Sequence, residues 1–535
     1  MRTVKKYICL LIILTLALNY GLCANASDYK YNMSYIYYGN ADYFAQQVDD
    51  TQGSMNEVSP DYFSLDASGN LVITADTSLS FVQNMHSGGV LVSPYLTNDW
   101  DQAKGIAALN NADKLSSDIA AAVTKYNLDG INIDIENVTP NERSAYVNFA
   151  KLLREKLGSD KIISVAVAAN PYGTKTGWAG SYDYAGLAKY CDYLMIMAYD
   201  ESYYGSTPGP VASIGSVEKS IKYALSVVSK DKIVLGLPFY GRIWSSGGGA
   251  PSGYGVSNST IESLIKNYSG TVSVDSQTKA ACATITVKAT DTKPIIAGKA
   301  LAAGTYQIWY SNEQSIKAAL ELVTKYDIKG TGSWSLGQEE STTWDYYKLW
   351  LNGCTFDDIQ NNWAKSYILT AYMNDWMNGL SSDTFAPDAP MTRAQAAAIL
   401  VRMLGLTPDI NSTTGFDDCK GNWAEAYINT ARDHNIVSGI GGNLFSPDSP
   451  VTREEIALML NNILGYTNDG SEAAFNDVSK ENNSWSYDAI SALSEKNIIT
   501  GYTDGSFKPS NNVTRAEMTA MIARIDSAQL NSITA

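Results

Sequence analysis

Histidine is nearly missing from this chain: there are two among 535 residues, His86 and His434, in different regions. That scarcity argues against a histidine-rich metal centre or a Ser-His-Asp triad, and each imidazole reads as an ordinary surface or core residue. Cysteine is scarce too. Of six, Cys9 and Cys23 fall in the first 26 residues, and Cys191, Cys282, Cys354 and Cys419 are too scattered for a disulfide scaffold, though one or two bridges remain open. Positive charge is in deficit, with 39 Lys and Arg against 55 Asp and Glu and a formal net charge of −16. So acidic a chain is poorly suited to nucleic acid or anionic lipid; neutral or basic polymers fit it better. After residue 26, no apolar run reaches membrane length.

The first 26 residues are different. A basic cluster (Arg2, Lys5, Lys6) precedes an apolar run from Ile8 to Leu18, and Ala24 and Ala26 supply the small residues of a signal-peptidase site. Leu22 before Cys23 speaks against a lipoprotein. Removal of this signal peptide takes the net charge from −16 to −19 and leaves a secreted protein with no membrane span.

What is present is most concentrated between Leu128 and Glu136. Ile131, Ile133 and Ile135 alternate with Asn132, Asp134 and Glu136, so a β-strand here buries three branched side chains on one face and aligns the polar three on the other. Two buried carboxylates side by side cost several kcal/mol or shift in pKa, and proteins tolerate that where the shifted pKa is useful.

Strand-like and helix-like segments alternate around it. Thr139-Pro140-Asn141-Glu142 is a capping box with proline at the first helical position; Tyr146, Phe149, Leu153 and Leu157 follow at helical spacing, and Gly158 ends the helix. Strands are expected at 162–169, 193–199, 233–237 and about 330–336, and helices near 184–190, 217–228 and 314–326. Repeated βα units with nearly continuous apolar strands predict an α/β fold with a parallel sheet, a (β/α)₈ TIM barrel over 27–352. Between about 243 and 306 the rhythm breaks into Gly-, Ser- and Thr-rich sequence, an insertion after the seventh strand standing on the C-terminal rim.

Asp129 to Glu136 resembles the D-G-x-D-x-D-x-E signature of glycoside hydrolase family 18, the chitinases and endo-β-N-acetylglucosaminidases. Met197-Ala198-Tyr199-Asp200, Leu237 to Arg242 and Gly332 to Gly337 are similar to that family's sixth-, seventh- and eighth-strand motifs, in order. The resemblance implies Glu136 as general acid, Asp134 as the acceptor that orients the substrate's 2-acetamido group, and Tyr199 as donor to that group's carbonyl. The acetamido oxygen is then the nucleophile, and no cofactor or metal takes part. Asp200, Trp334, Tyr240 and Arg242 are implied substrate-binding residues, with Trp334 under the sugar ring.

Asn132 departs from the signature, which has aspartate there. Its amide is expected to donate to Asp134 and its neutrality to remove one like-charge repulsion, giving an active enzyme with a shifted pH profile. A wild type without activity that Asn132→Asp restores would refute this. The variant is also similar to members acting on spore cortex or peptidoglycan, so a cell-wall glycan stands beside chitin as substrate. Glu339 and Glu340, near the rim, read as a solvated loop.

The last third of the chain repeats. Phe356-Asp357-Asp358, Phe416-Asp417-Asp418 and Phe475-Asn476-Asp477 open three units, over 353–411, 412–470 and 471–535. Each carries a Trp (Trp363, Trp423, Trp485), a glycine at the end of its first helix (Gly379, Gly439, Gly501), a Phe-x-Pro turn and a Thr-Arg pair opening another helix. These units resemble S-layer homology domains, with Gln395 in the first and Glu454 in the second as departures from T-R-A-E. The resemblance implies an all-α pseudo-threefold bundle binding pyruvylated secondary cell-wall polymer, with Arg393, Arg453 and Arg515 pairing with ketal carboxylates. The whole reads as a secreted glycosidase of N-acetylglucosamine polysaccharides, held on the cell wall or S-layer of a Gram-positive type bacterium. The other reading is a non-catalytic glycan-binding surface protein on the same barrel, which the presence of Glu136 disfavours.

Overall fold

The computed structural model describes residues 29–37, 39–410, 415–470, 473–526, 529–530 and 533; the expected signal peptide lies outside them. Two compact units divide after Gly353, Lys30–Gly353 and Cys354–Ala535 with Tyr29. Among the described residues no helix is long and apolar enough to cross a membrane.

The first unit has a TIM-barrel type fold. Its parallel pairings run from Tyr31–Ile36 to Glu57–Pro60, then to a third strand in two pieces, Leu91–Val92 and Tyr95–Thr97. They continue through Gly130–Asp134, Ile162–Ala168, Tyr193–Met197, Ile233–Pro238 and Gly330–Trp334, and this eighth strand pairs with the first. Side chains alternate across each strand, so one set fills the interior and the other packs outward. Met33, Tyr35, Tyr95, Tyr193, Met195 and Met197 form the inner cluster, with Tyr199 and Trp334 at its edge. Gly130 is required by close approach: a Cβ there would come within 2.1 Å of the Ile162 carbonyl oxygen.

The capping box forms as read, with Thr139 N–H donating to Glu142 Oε2 at 2.9 Å. Its first turn, Pro140–Glu142, is a 3₁₀ turn, and the α-helix proper is Arg143–Leu157. Tyr146, Phe149 and Leu153 are its buried face. Between the seventh and eighth strands, residues 240–310 carry a five-stranded antiparallel sheet and the helix Asn258–Asn267, with a core of their own around Ile243, Ile261, Ile285 and Ile308. The four described cysteines, Cys191, Cys282, Cys354 and Cys419, are all free.

Among the described residues of the second unit each repeat carries a pair of α-helices: Lys365–Met373 and Arg393–Met403, Glu425–Asp433 and Arg453–Leu464, Tyr487–Glu495 and Arg515–Ala523. Each second helix opens on a threonine capping box and packs on the first helix of the next repeat, the third returning to the first. A cycle of backbone bonds sits between them: Met391 N–H to Val513 O, Val451 N–H to Met391 O and Val513 N–H to Val451 O, 2.9 to 3.0 Å. Gly379, Gly439 and Gly501 lie beyond the first helices rather than at their ends. A Cβ on them would strike the ring of Phe356, Phe416 or Phe475 at 2.3, 2.6 and 2.7 Å, so each glycine is set by the opening phenylalanine of its own repeat.

Candidate active site

Asp134 ends the fourth strand and Glu136 lies two residues beyond it, so the side chains leave the barrel at the strand's C-terminal end. The backbone between them is clamped. Asn98 accepts the Glu136 N–H at 2.8 Å and donates to the Glu136 carbonyl at 2.9 Å. The Tyr146 hydroxyl accepts the Ile135 N–H at 3.3 Å and donates to its carbonyl at 3.2 Å, and Tyr182 adds a donor at 3.1 Å. Ile131, Ile133 and Ile135 are fully buried behind them.

Asp134 is 6% exposed, and among the described residues its Oδ1 has no hydrogen-bond partner. A buried acceptor left unpaired costs about 1–3 kcal/mol, more when charged, so a fold keeps one where a ligand is to satisfy it. Burial raises the Asp134 pKa. Glu136, half-buried, is held well above the usual carboxylate range by burial first, then by the charges of Asp134 and Asp200. It therefore stays protonated where an ordinary glutamate is ionised. The same three carboxylates raise the Tyr199 hydroxyl, after burial, which keeps it a donor.

Asp200 and Arg242 form a bidentate ion pair, Nε to Oδ1 at 2.8 Å and Nη2 to Oδ2 at 2.7 Å, and Arg242 also donates to the Gly253 carbonyl at 3.0 Å. Asp200 has φ of 59°, left-handed backbone that Asp tolerates better than most residues. Both Asp200 oxygens are thus engaged by the first strand of the 240–310 sheet, while the side chain stays partly exposed. Tyr240 packs edge-on to Tyr199, centroids 6.0 Å apart. Trp334, half-buried, meets Tyr35 at 5.3 Å, Tyr37 at 5.6 Å and Tyr95 at 6.1 Å, and its peptide bond to Ser335 is cis.

Asn132 overturns an expectation. It is fully buried, its amide nitrogen donates to Ser164 Oγ at 2.8 Å, and its carbonyl accepts the Tyr35 hydroxyl at 2.9 Å. One of its two amide N–H donors therefore goes to Ser164, and among the described residues neither reaches Asp134. Asn132→Asp places an ionisable carboxyl beside this pair; its charge raises Glu136 further, and the basic limb of the pH–rate profile is expected to move to higher pH, with activity retained. An unmoved profile contradicts that.

Sequence reasoning missed Asn98, Tyr146, Tyr182 and Ser164 in their site roles, since nothing local marks them. It missed Glu57 as well, fully buried deeper in the barrel, where Tyr31 and Tyr193 donate to one carboxyl oxygen, Tyr193 at 2.9 Å. Glu339 and Glu340 are not solvated: they take the Trp344 indole N–H at 3.0 Å and the Glu313 N–H at 2.8 Å, and burial raises both. In the repeats, Arg393, Arg453 and Arg515 are buried against protein acceptors rather than displayed at the surface. Among the described residues no cluster is able to hold a metal ion.

The family description "Glycosyl hydrolases family 18" fits residues 99–339, and "S-layer homology domain" fits 355–397, 415–457 and 474–519. The chain is 27% identical over 299 residues to the uncharacterized glycosylase YvbX of Bacillus subtilis, 54% of this chain and 83% of that protein. It is 25% identical over 292 residues to the cortical fragment-lytic enzyme of B. subtilis, 53% of this chain and 64% of that one. Among solved structures, the fold is similar to a chitinase from Chromobacterium violaceum ATCC 12472, with TM-score 0.52 and 23% identity over 60% of this chain and 99% of that chain.

Proposed function

The chain being a family 18 glycoside hydrolase followed by three S-layer homology domains, we propose that it hydrolyses β-1,4 bonds of N-acetylglucosamine-containing polysaccharide by retaining, substrate-assisted catalysis. Its fold reads as a complete (β/α)₈ barrel carrying residues 240–310 as an insertion after the seventh strand. One observation carries the mechanism: the unpartnered, buried Oδ1 of Asp134 beside a Glu136 whose pKa is raised.

Glu136 protonates the glycosidic oxygen as the leaving sugar departs. Asp134 Oδ1 accepts the acetamido N–H, turns the acetamido oxygen toward the anomeric carbon and stabilises the positive charge that develops on the group. Tyr199 donates to the acetamido carbonyl oxygen, and Trp334 forms the apolar floor under the sugar ring. The oxazolinium ion formed by attack of that oxygen is opened by water, with Glu136 now acting as base, and configuration is retained. The Asp200–Arg242 pair ties the rim to the 240–310 sheet, and the Asp200 carboxylate, placed to bind nearby sugar or acetamido groups, helps keep Glu136 protonated.

The likeness to a cortical fragment-lytic enzyme supports a cell-wall glycan as substrate, with chitin as the alternative, and the repeats support retention of the protein on a bacterial wall. Incubation with peptidoglycan, spore cortex and chitin oligosaccharides, followed by mass spectrometry, is expected to release products with an N-acetylglucosamine reducing end from the wall-derived glycans at a higher rate than from chitin. Faster turnover of chitin would reverse the substrate assignment; absence of products from all three would leave a glycan-binding protein.

A further inference from the structure

Glu57 belongs to the second strand, is fully buried inside the barrel, and has no part in the mechanism above. The Tyr31 and Tyr193 hydroxyls both donate to its Oε2, Tyr193 at 2.9 Å, and the Ser93 hydroxyl lies against the same carboxyl. Two phenols on one oxygen make that oxygen an acceptor whether or not the group carries a proton. Tyr193, its proton committed to Glu57, has only lone pairs for its other neighbours.

Asn132, Ser164 and Tyr193 stand in one layer of the barrel, since Asn132 is paired with Ser164, and Ser164 with Tyr193, across the fourth, fifth and sixth strands. The Ser164 hydroxyl donates to the Tyr193 oxygen. Ser164 Oγ in turn accepts the Asn132 amide N–H at 2.8 Å, which turns the Asn132 carbonyl to the Tyr35 hydroxyl, its donor at 2.9 Å. Every donor in the series Tyr35, Asn132, Ser164, Tyr193 thus points toward Glu57. Reversing any single member would set two donors or two acceptors against each other.

The upper end of the series lies at the catalytic pair. Of the charges acting on the Tyr35 hydroxyl, that of Asp134 is the strongest. A phenol beside a buried carboxylate ordinarily donates to it, yet around Asp134 the phenolic protons are drawn elsewhere. Tyr146 and Tyr182 donate to the Ile135 carbonyl, Tyr95 to Asp61, and Tyr35 to Asn132. The other titratable groups at this mouth are Glu136, Tyr199 and Asp200.

We infer that Glu57 is a positioning residue of the reaction: as the acceptor at the foot of this series it fixes the Asn132 amide and holds the Tyr35 proton away from Asp134, leaving that carboxylate open to the acetamido N–H. The inference rests on the reading of Asp134 given above and deepens it. Without an acceptor at position 57 the whole series can reverse. Tyr193 then donates to Ser164, Ser164 to a turned Asn132, Asn132 to the Tyr35 oxygen, and Tyr35 to Asp134. That last bond favours the ionised carboxylate, lowers the Asp134 pKa and occupies the place the substrate is to take.

The test is the acidic limb of the pH dependence of kcat/KM in the full-length chain, below which Asp134 is protonated and unable to accept the acetamido N–H. Glu57→Leu is expected to move this limb down by about one to two pH units, the size of one hydrogen bond to a charged group, and to lower the plateau by about tenfold. Glu57→Gln, whose amide oxygen still accepts from both phenols, is expected to leave the limb in place, and Tyr35→Phe added to Glu57→Leu to return it. Ser164→Ala breaks the series midway, frees the Asn132 amide to turn, and is expected to move the limb as Glu57→Leu does in a protein whose Glu57 is intact. In Tyr35→Phe alone the limb is expected to stay where it is. A limb unmoved in Glu57→Leu or Ser164→Ala, or raised by Tyr35→Phe alone, would overturn the inference and leave substrate-assisted catalysis standing. Wild type without turnover on any of the glycans would overturn the catalytic reading and the inference with it.

Discussion

Glu136→Gln is expected to lower kcat on N-acetylglucosamine oligosaccharides by about 10²–10⁴-fold, with KM little changed, because it removes the proton assigned to the leaving oxygen while keeping the shape and hydrogen-bonding reach of the side chain. The clamp around the residue makes the substitution clean. Asn98 holds both backbone groups of Glu136 and Tyr146 holds both of Ile135, so the amide stays where the acid was. In wild type the acid must be protonated, and its pKa is raised by burial and by Asp134 and Asp200. Activity therefore persists above the range of an ordinary glutamate and is lost as pH rises through the raised value. The mutant should show a flat residual rate across that limb. A mutant that keeps the wild-type rate and its basic limb would assign the proton to another group.

Asp134→Asn is expected to cost about 10²–10³-fold in kcat, the scale seen when one group aimed at developing charge is removed. The effect has two parts. An amide at 134 no longer carries the negative charge that stabilises the oxazolinium ion. Removing that charge also lowers the Glu136 pKa, since Asp134 is the largest contributor to its rise after burial. The basic limb of the pH–rate profile is thus expected to move to lower pH, opposite to the shift expected of Asn132→Asp. Opposite movements from two neighbouring positions separate an electrostatic effect on Glu136 from a general disturbance of the strand.

The parts of this site that could be read from the residues were those set by local periodicity. The Ile-Asn-Ile-Asp-Ile-Glu alternation placed Asp134 and Glu136 together, because a strand has only two faces, and the Thr139 to Glu142 box opened the following helix. Partner choice was a different matter. Asn132 lies next but one to Asp134 in the chain, yet its hydrogen bonds go to Tyr35 and Ser164, 97 and 32 residues away, because the adjacent fifth strand presents Ser164 and the first strand, not adjacent to it in the sheet, sends Tyr35 into the same interior. Asp200 was legible as a motif residue, but its ion pair with Arg242, 42 residues on, depends on where the 240–310 sheet leaves the barrel. In the repeats, the Thr-Arg pairs were visible by recurrence. That each arginine serves the following repeat, 62 residues on for Arg393 and Glu455, follows from the cyclic packing and not from the period.

The claim at the centre is that Asp134 Oδ1 is left unpaired in order to take the acetamido N–H. The most direct measurement is calorimetric binding of N-acetylglucosamine thiazoline, a stable ring analogue of the oxazolinium ion, to wild type and to Asp134→Ala at the same pH. Wild type is expected to bind it, and the variant to bind about 100-fold more weakly or not at all, since the protonated ring nitrogen loses its charged acceptor. Equal affinity in the two proteins would contradict substrate-assisted catalysis at this site.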